Sequence, residues 1–253
     1  MEVIAARPRR RTASLLLGAL VVATGCTTAA SSSPAVAPAP TTSTTVVVTT
    51  TTTAAAPTTA STTTTAPPPP QRVVTEQDWV PFGVVAGITL HHAARFVERV
   101  GFHQSNHEGA QQFDVLPTAV APTTLESRER LTGDRTAADM VVDPTAELRA
   151  PVTGTVKRAG TYTLYCRYTD SYLVIAPDFR PEWEVKLLHF EGLAVRAGDR
   201  VEAGVTVIGA HARQLPFESQ VDEVSPVRPA WPHVHIEVVD PSIPNVPSPG
   251  GGC

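Results

Sequence analysis

From Leu148 onward the chain alternates between short apolar runs and turn-forming residues. Leu148–Lys157, Leu173–Ala176, Glu184–Phe190, Val205–Ile208 and His233–Val239 are rich in β-branched and apolar side chains, and most are bounded by Gly, Pro or Asp. Runs of this length and composition predict strands, whereas the 3.6-residue period of an amphipathic helix is scarce. Two glycine-bearing turns separate them: Ala150-Pro151-Val152-Thr153-Gly154, and the stretch Val195–Gly204 with Gly198 and Gly204 six apart. Both suit the tight turns of antiparallel sheets. Upstream, Arg95–Phe102 is a strand candidate inside what otherwise reads as long loops over Thr75–Arg130. The Pro/Gly-rich tail, 240–253, reads as irregular and exposed. The expectation is an all-β, antiparallel domain with long loops and little helix.

The first seventy residues are of another kind. Arg7 and Arg9–Arg11 precede the apolar run Leu15–Ala23, which leads into Ala23-Thr24-Gly25-Cys26. Basic, then apolar, then small is the order of a secretory signal, here residues 1–26. The apolar run is shorter than the ~20 residues that span a bilayer. A cysteine directly after small residues resembles a bacterial lipobox, which implies acylation at Cys26 and an extracytoplasmic protein held to the membrane by lipid. Residues 27–71 are almost wholly Thr, Ala, Ser, Pro and Val, with no aromatic side chain and no charge before the Gln71-Arg72 boundary. Such a segment cannot bury enough surface to offset its ordering entropy, so it reads as a disordered stalk.

The remainder, residues 72–253, is long enough for a real core. The full chain has a net charge of −4, and loss of four arginines and one glutamate with the leader makes it more acidic, about −7. An acidic protein of this kind is a poor match for nucleic acid. Cys166 and Cys253 are then the remaining cysteines, and a disulfide between them is permitted outside the cytoplasm but not required by the sequence.

The strongest chemical signal is Trp231-Pro232-His233-Val234-His235-Ile236-Glu237. On a strand, i and i+2 share a face, so His233 and His235 point the same way. Neutral imidazoles so placed suit a zinc site, one as ligand and one beside it. His91, His92 and His211 lack partners at ligand spacing and read as exposed or structural. Asp114 is a spare carboxylate. Trp183 and Trp231 read as core or groove wall, and the four tyrosines of 162–172 as a half-buried strand pair.

Ala150-Pro151 with Gly154-Thr155-Val156, then Leu187-Leu188-His189-Phe190, then Val195–Gly204, then His233-Val234-His235 occur in an order and spacing that resembles the lysostaphin/LytM zinc peptidases. The resemblance covers about residues 135–239, with 72–134 as an N-terminal extension of loops and strands. It implies a β-sandwich-like hybrid barrel acting on peptidoglycan peptides. It also implies His235 as a zinc ligand, with His189 and His233 as catalytic histidines. The family's remaining ligands are a His-x-x-x-Asp pair ahead of the Ala-Pro turn. Asp139 stands at the aspartate position, but Arg135 stands where the histidine belongs. A guanidinium has no lone pair for a metal.

The site can be completed in two ways. His103 or His107, within Gly101–Gly109, supplies the third ligand and keeps a zinc endopeptidase. Alternatively Arg135 pairs with Asp139 in place of the cation, giving a silent module that binds the wall or regulates another wall hydrolase. The four-residue spacing favours Arg135 at that corner. A lipoyl-type carrier is set aside, because neither Lys157 nor Lys186 sits in a hairpin tip.

Overall fold

A computed structural model describes residues 68–246. The signal segment, Cys26, most of the stalk and Cys253 lie outside the described residues. The architecture is almost entirely antiparallel β. The segment before residue 135 contributes β1 (Thr75–Glu76), β2 (Pro81–Val85), β3 (Ile88–His91), β4 (Phe96–His103), β5 (Asp114–Val115) and β6 (Pro122–Thr124). The rest contributes β7 (Ala137–Val142), β8 (Leu148–Arg149), β9 (Gly154–Leu164), β10 (Tyr168–Pro177), β11 (Glu184–Leu188), β12 (Phe190–Glu191), β13 (Arg200–Val201), β14 (Val207–Gly209), β15 (His211–Ala212) and β16 (His233–Val239). A four-residue helix, α1 (Gln220–Glu223), begins where the Ser219 N–H donates to the Asp222 carboxylate at 2.8 Å.

The main sheet runs β1-β4-β7-β16-β11-β10-β9-β13, with β6 added parallel to β4. Each central strand alternates between its two faces. On β16, Val234, Ile236 and Val238 are fully buried, while His233, His235 and Glu237 occupy the other face. Ala138, Met140 and Val142 of β7, Val185 and Leu187 of β11, and Leu173 and Ile175 of β10 join that core.

A three-stranded sheet, β3-β2-β5, lies in the same core. Phe82 and Phe113 meet Phe102 of β4 there, with ring centroids 6.3 and 5.5 Å away. Burying such side chains stabilises by roughly 1.5–3 kcal/mol each. This explains why the expected loop region is in fact structured: its apolar residues close the core. Within Thr75–Arg130 the expected strand is present as β4, β2 and β3 add a hairpin that was read as loop, and 104–113, 116–121 and 125–130 remain loops. Gly198 and Gly204 both adopt left-handed φ, at 93° and 69°, as turn glycines do.

Cys166 is disulfide-bonded at the β9–β10 turn. Among the described residues no helix is long and apolar enough to cross a membrane.

Candidate metal and acid–base site

Strand register assembles the site. Asp139 on β7 is flanked directly by His235 of β16 on one side and Gly101 of β4 on the other. His103 is two residues beyond Gly101, and His233 is two before His235, so all four polar side chains share one face. Val141, Leu125, Val221 and Trp231 form a small apolar cluster on that side.

His103 Nε2 lies 3.1 Å from Asp139 Oδ1, and His235 Nδ1 lies 2.9 Å from the same oxygen. His233 Nε2 is 3.8 Å from Asp139 Oδ2. One ligand atom from each of His103, Asp139 and His235 falls within 4.8 Å of the others. Two imidazoles and a carboxylate match the three-ligand make-up of catalytic zinc centres, whose ligand atoms stand ~2 Å from the ion and hence up to ~4 Å apart.

The protonation pattern strengthens the fit. His103 Nδ1 is 2.9 Å from the Gln104 carbonyl; a carbonyl only accepts, so Nδ1 carries the hydrogen. Nε2 is then the nitrogen turned toward Asp139. That nitrogen is buried and faces a carboxylate oxygen. Such a contact is repulsive unless a proton or cation lies between them. A backbone carbonyl fixing the distal N–H is also how metal-ligating histidines are commonly oriented.

Burial alone would raise the Asp139 carboxyl, but the His103 ring beside it and the hydrogen bond from His235 hold it well below its usual range. Glu237, on the same face of β16, has Oε2 3.6 Å from His235 Nε2. It also accepts the Ser105 hydroxyl at 2.6 Å and stands 3.4 Å from Lys186 Nζ. Burial would lower His235, yet these two carboxylates push it up to about 10. Glu237 itself is depressed against the effect of burial, through its contacts with His235, Lys186 and Ser105. The pair of carboxylates creates a pocket that favours positive charge. His233, by contrast, is pushed down to about 4, chiefly by burial, and is neutral at ordinary pH.

His189 follows β11. Strict alternation would place its side chain opposite to Leu188, but its φ of 66° breaks the alternation. Holding a non-glycine residue there costs on the order of 1–3 kcal/mol. The ring is thereby brought 5.3 Å from His233 and 6.0 Å from His235, between centroids. Its Nδ1 donates to Asp170 Oδ2 at 2.6 Å, and its backbone N–H reaches the same oxygen at 3.2 Å. Tyr162 Oη donates to that oxygen as well, at 2.8 Å. Burial would raise Asp170, but these bonds keep it below its usual value. Burial and Asp170 push the Tyr162 phenol up, so it stays a donor.

A cleft of about 400 Å³ opens onto His103, Asp139, His189, His233, His235 and Glu237, with Asp170 behind His189. His107 lies on its wall, but its Nδ1 accepts the Gly109 N–H at 3.1 Å, and it is outside the ligand cluster.

Arg135 does not take the third corner. It precedes β7, and four residues of extended chain span ~13 Å. It is not part of the cleft wall, and no ion pair joins it to Asp139 among the described residues. His103 stands there instead.

Asp114 is exposed on β5, away from the cleft. His91 and His211 are held by backbone carbonyls of Trp79 and Ala212, and His92 is buried against Val80. Trp183 packs on the main core and Trp231 on the smaller cluster. Asp170, Tyr162, Ser105 and Glu237 join the site beyond the residues that the sequence motifs mark. Glu237 continues the i, i+2 series of His233 and His235 and was legible by that rule.

Set against models of known protein families, curated proteins and solved structures, the chain matches none of them.

Proposed function

We propose that the domain is a zinc-dependent peptide hydrolase of the bacterial cell envelope, of lysostaphin/LytM type. The observation that carries this reading is the His103–Asp139–His235 cluster, one cleft away from an Asp170-supported histidine. The motif order from Ala150 to His235 supports peptidoglycan peptides as the substrate. The segment ending at Cys26 supports display from a lipid anchor.

His103, Asp139 and His235 would hold the ion, with Glu237 orienting His235 through its second nitrogen. Zinc there would supply Lewis acidity to a scissile carbonyl and acidify a water. The acid–base work falls to His189. With Nδ1–H committed to Asp170, its Nε2 is the nitrogen free to take a proton in the cleft. Asp170 stabilises the imidazolium that forms, as in other Asp–His pairs. The same nitrogen then returns the proton to the departing amine. Neutral His233 has an N–H with which to stabilise negative charge developing on the carbonyl oxygen. Tyr162 and the His189 backbone N–H fix the Asp170 carboxylate.

Digestion of purified peptidoglycan by the zinc-loaded protein tests this reading. New amino termini released by the native protein but not by His189→Ala are expected. Intact peptidoglycan after prolonged incubation with stoichiometrically loaded protein would sink the hydrolase and leave the silent wall-binding module.

A further inference from the structure

Arg130 lies in the wall of the same cleft. It is half-buried, and among the described residues it forms no ion pair with a carboxylate. Nearby Arg128 differs, pairing with Glu223 at 3.0 Å. Arg158 and Arg200 are likewise matched, to Glu184 and Asp178. A partly desolvated cation without a direct ion pair is costly to keep. Burial, followed by the repulsion of Arg128, pushes its guanidinium below the usual value, against the smaller opposing pull of Tyr165 and Asp139.

The loop that carries Arg130 is held firmly. Gln104 Oε1 accepts the backbone N–H groups of Arg128 and Arg130 at 3.0 and 3.1 Å. Its Nε2 donates to the Arg130 and Thr132 carbonyls at 3.1 and 3.2 Å. The Gln104 carbonyl receives Arg130 Nη1 at 2.5 Å and His103 Nδ1 at 2.9 Å. The guanidinium is therefore one carbonyl away from the His103 ring, on a loop with little freedom to swing out.

We propose that Arg130 is an anion subsite that holds the carboxylate of a bound peptide beside the His103–Asp139–His235 centre. A guanidinium has five donors in a planar fork that matches a carboxylate, and the Gln104 carbonyl occupies part of that set. The rest of the cleft suits a peptide better than a phosphate polymer. Asn106 and Asn245 line it with amides for peptide groups, and Tyr165 packs edge-on against Phe217, 5.3 Å between centroids, as an apolar wall. The peptide nature of the ligand rests on the hydrolase reading above; the anion subsite itself does not require the metal.

The test is a calorimetric or NMR titration of the metal-free, full-length protein with N-acetyl-alanyl-alanine and with its C-terminal amide. The acid binds about tenfold more tightly than the amide, the increment expected of a charge-assisted pair. Arg130→Gln brings the ratio to about one with an unchanged melting temperature. Arg130→Lys, which keeps the charge without the fork, retains part of the preference, and Arg128→Gln retains all of it. Equal binding of acid and amide to the native protein overturns the proposal. So does a tenfold preference that survives Arg130→Gln, or binding of neither probe. Inorganic phosphate that binds more tightly than the acid overturns the peptide assignment. Zinc is absent from the titration, so its result is separate from whether the protein binds zinc or hydrolyses peptides.

Discussion

His103 Nε2 stands 3.1 Å from Asp139 Oδ1 because β4 and β7 are antiparallel neighbours, with Gly101 opposite Asp139 and His103 opposite Ala137. The segment upstream of residue 135 is thereby part of the site and not an appendage to it. β4 also brings Val97, Val100 and Phe102 into the core.

A chain starting at residue 135 should therefore fail. It loses the β4 edge of β7, exposes the buried face of the sheet and lacks one proposed ligand. The expected outcome is aggregated protein without bound zinc, measured by size exclusion and metal analysis. A soluble, zinc-binding fragment would contradict the integral role of β4.

Asp170→Asn tests the histidine support. The amide cannot stabilise an imidazolium, and it permits the wrong tautomer of His189. Peptide hydrolysis should fall by roughly 10²–10⁴ in kcat with little change in KM and with zinc content intact. A loss confined to KM would place Asp170 in substrate binding instead.

Glu237→Gln keeps the shape but removes the charge beside His235 Nε2. Partners of this kind are typically worth 10–100-fold in metal affinity, so a loss of that order is expected in a competition titration with a chelating dye. Unchanged affinity would remove Glu237 from the metal's support.

The raised His235 fixes a pH dependence. Its folded value is about 10, above the ~6.5 of an unfolded histidine. The stabilisation is thus complete below pH ~6.5 and is lost as pH rises through 10. The melting temperature of the metal-free protein should decline across that window, and His235→Gln should flatten the decline. Asp139 and Asp170 act at the other end: both are depressed, so their contribution is present above pH ~4 and disappears on further acidification. Zinc must displace the His235 proton, so its stabilising effect should grow with pH where the metal-free protein weakens. A flat melting curve from pH 7 to 10 in the metal-free protein would contradict the assignment.

Strand-borne features were legible in the sequence to the degree that alternation determines them. β16 coincides with the expected His233–Val239, and the shared face of His233 and His235 follows from its two-residue period. Asp139 was located by spacing alone. His103 was only one of two alternatives, because its place depends on which distant strand pairs with β7, and local pattern does not encode that pairing. The same gap favoured Arg135: a four-residue interval says nothing of where an extended chain leads. His189 reaches the site through a left-handed backbone that its residue type does not announce. Asp170 sits in a tyrosine-rich hairpin where the buried carboxylate resembles any turn-proximal aspartate until the fold brings His189 to it.

Whether His103, Asp139 and His235 form one metal site is read from a zinc titration of the full-length protein. One zinc per chain is expected in the native protein and in His107→Ala and Arg135→Ala. That zinc is lost in His103→Ala and in His235→Ala, with folding retained by circular dichroism. A folded native protein that takes up no zinc, or a His103→Ala variant that binds it as tightly as the native chain, would contradict the single site.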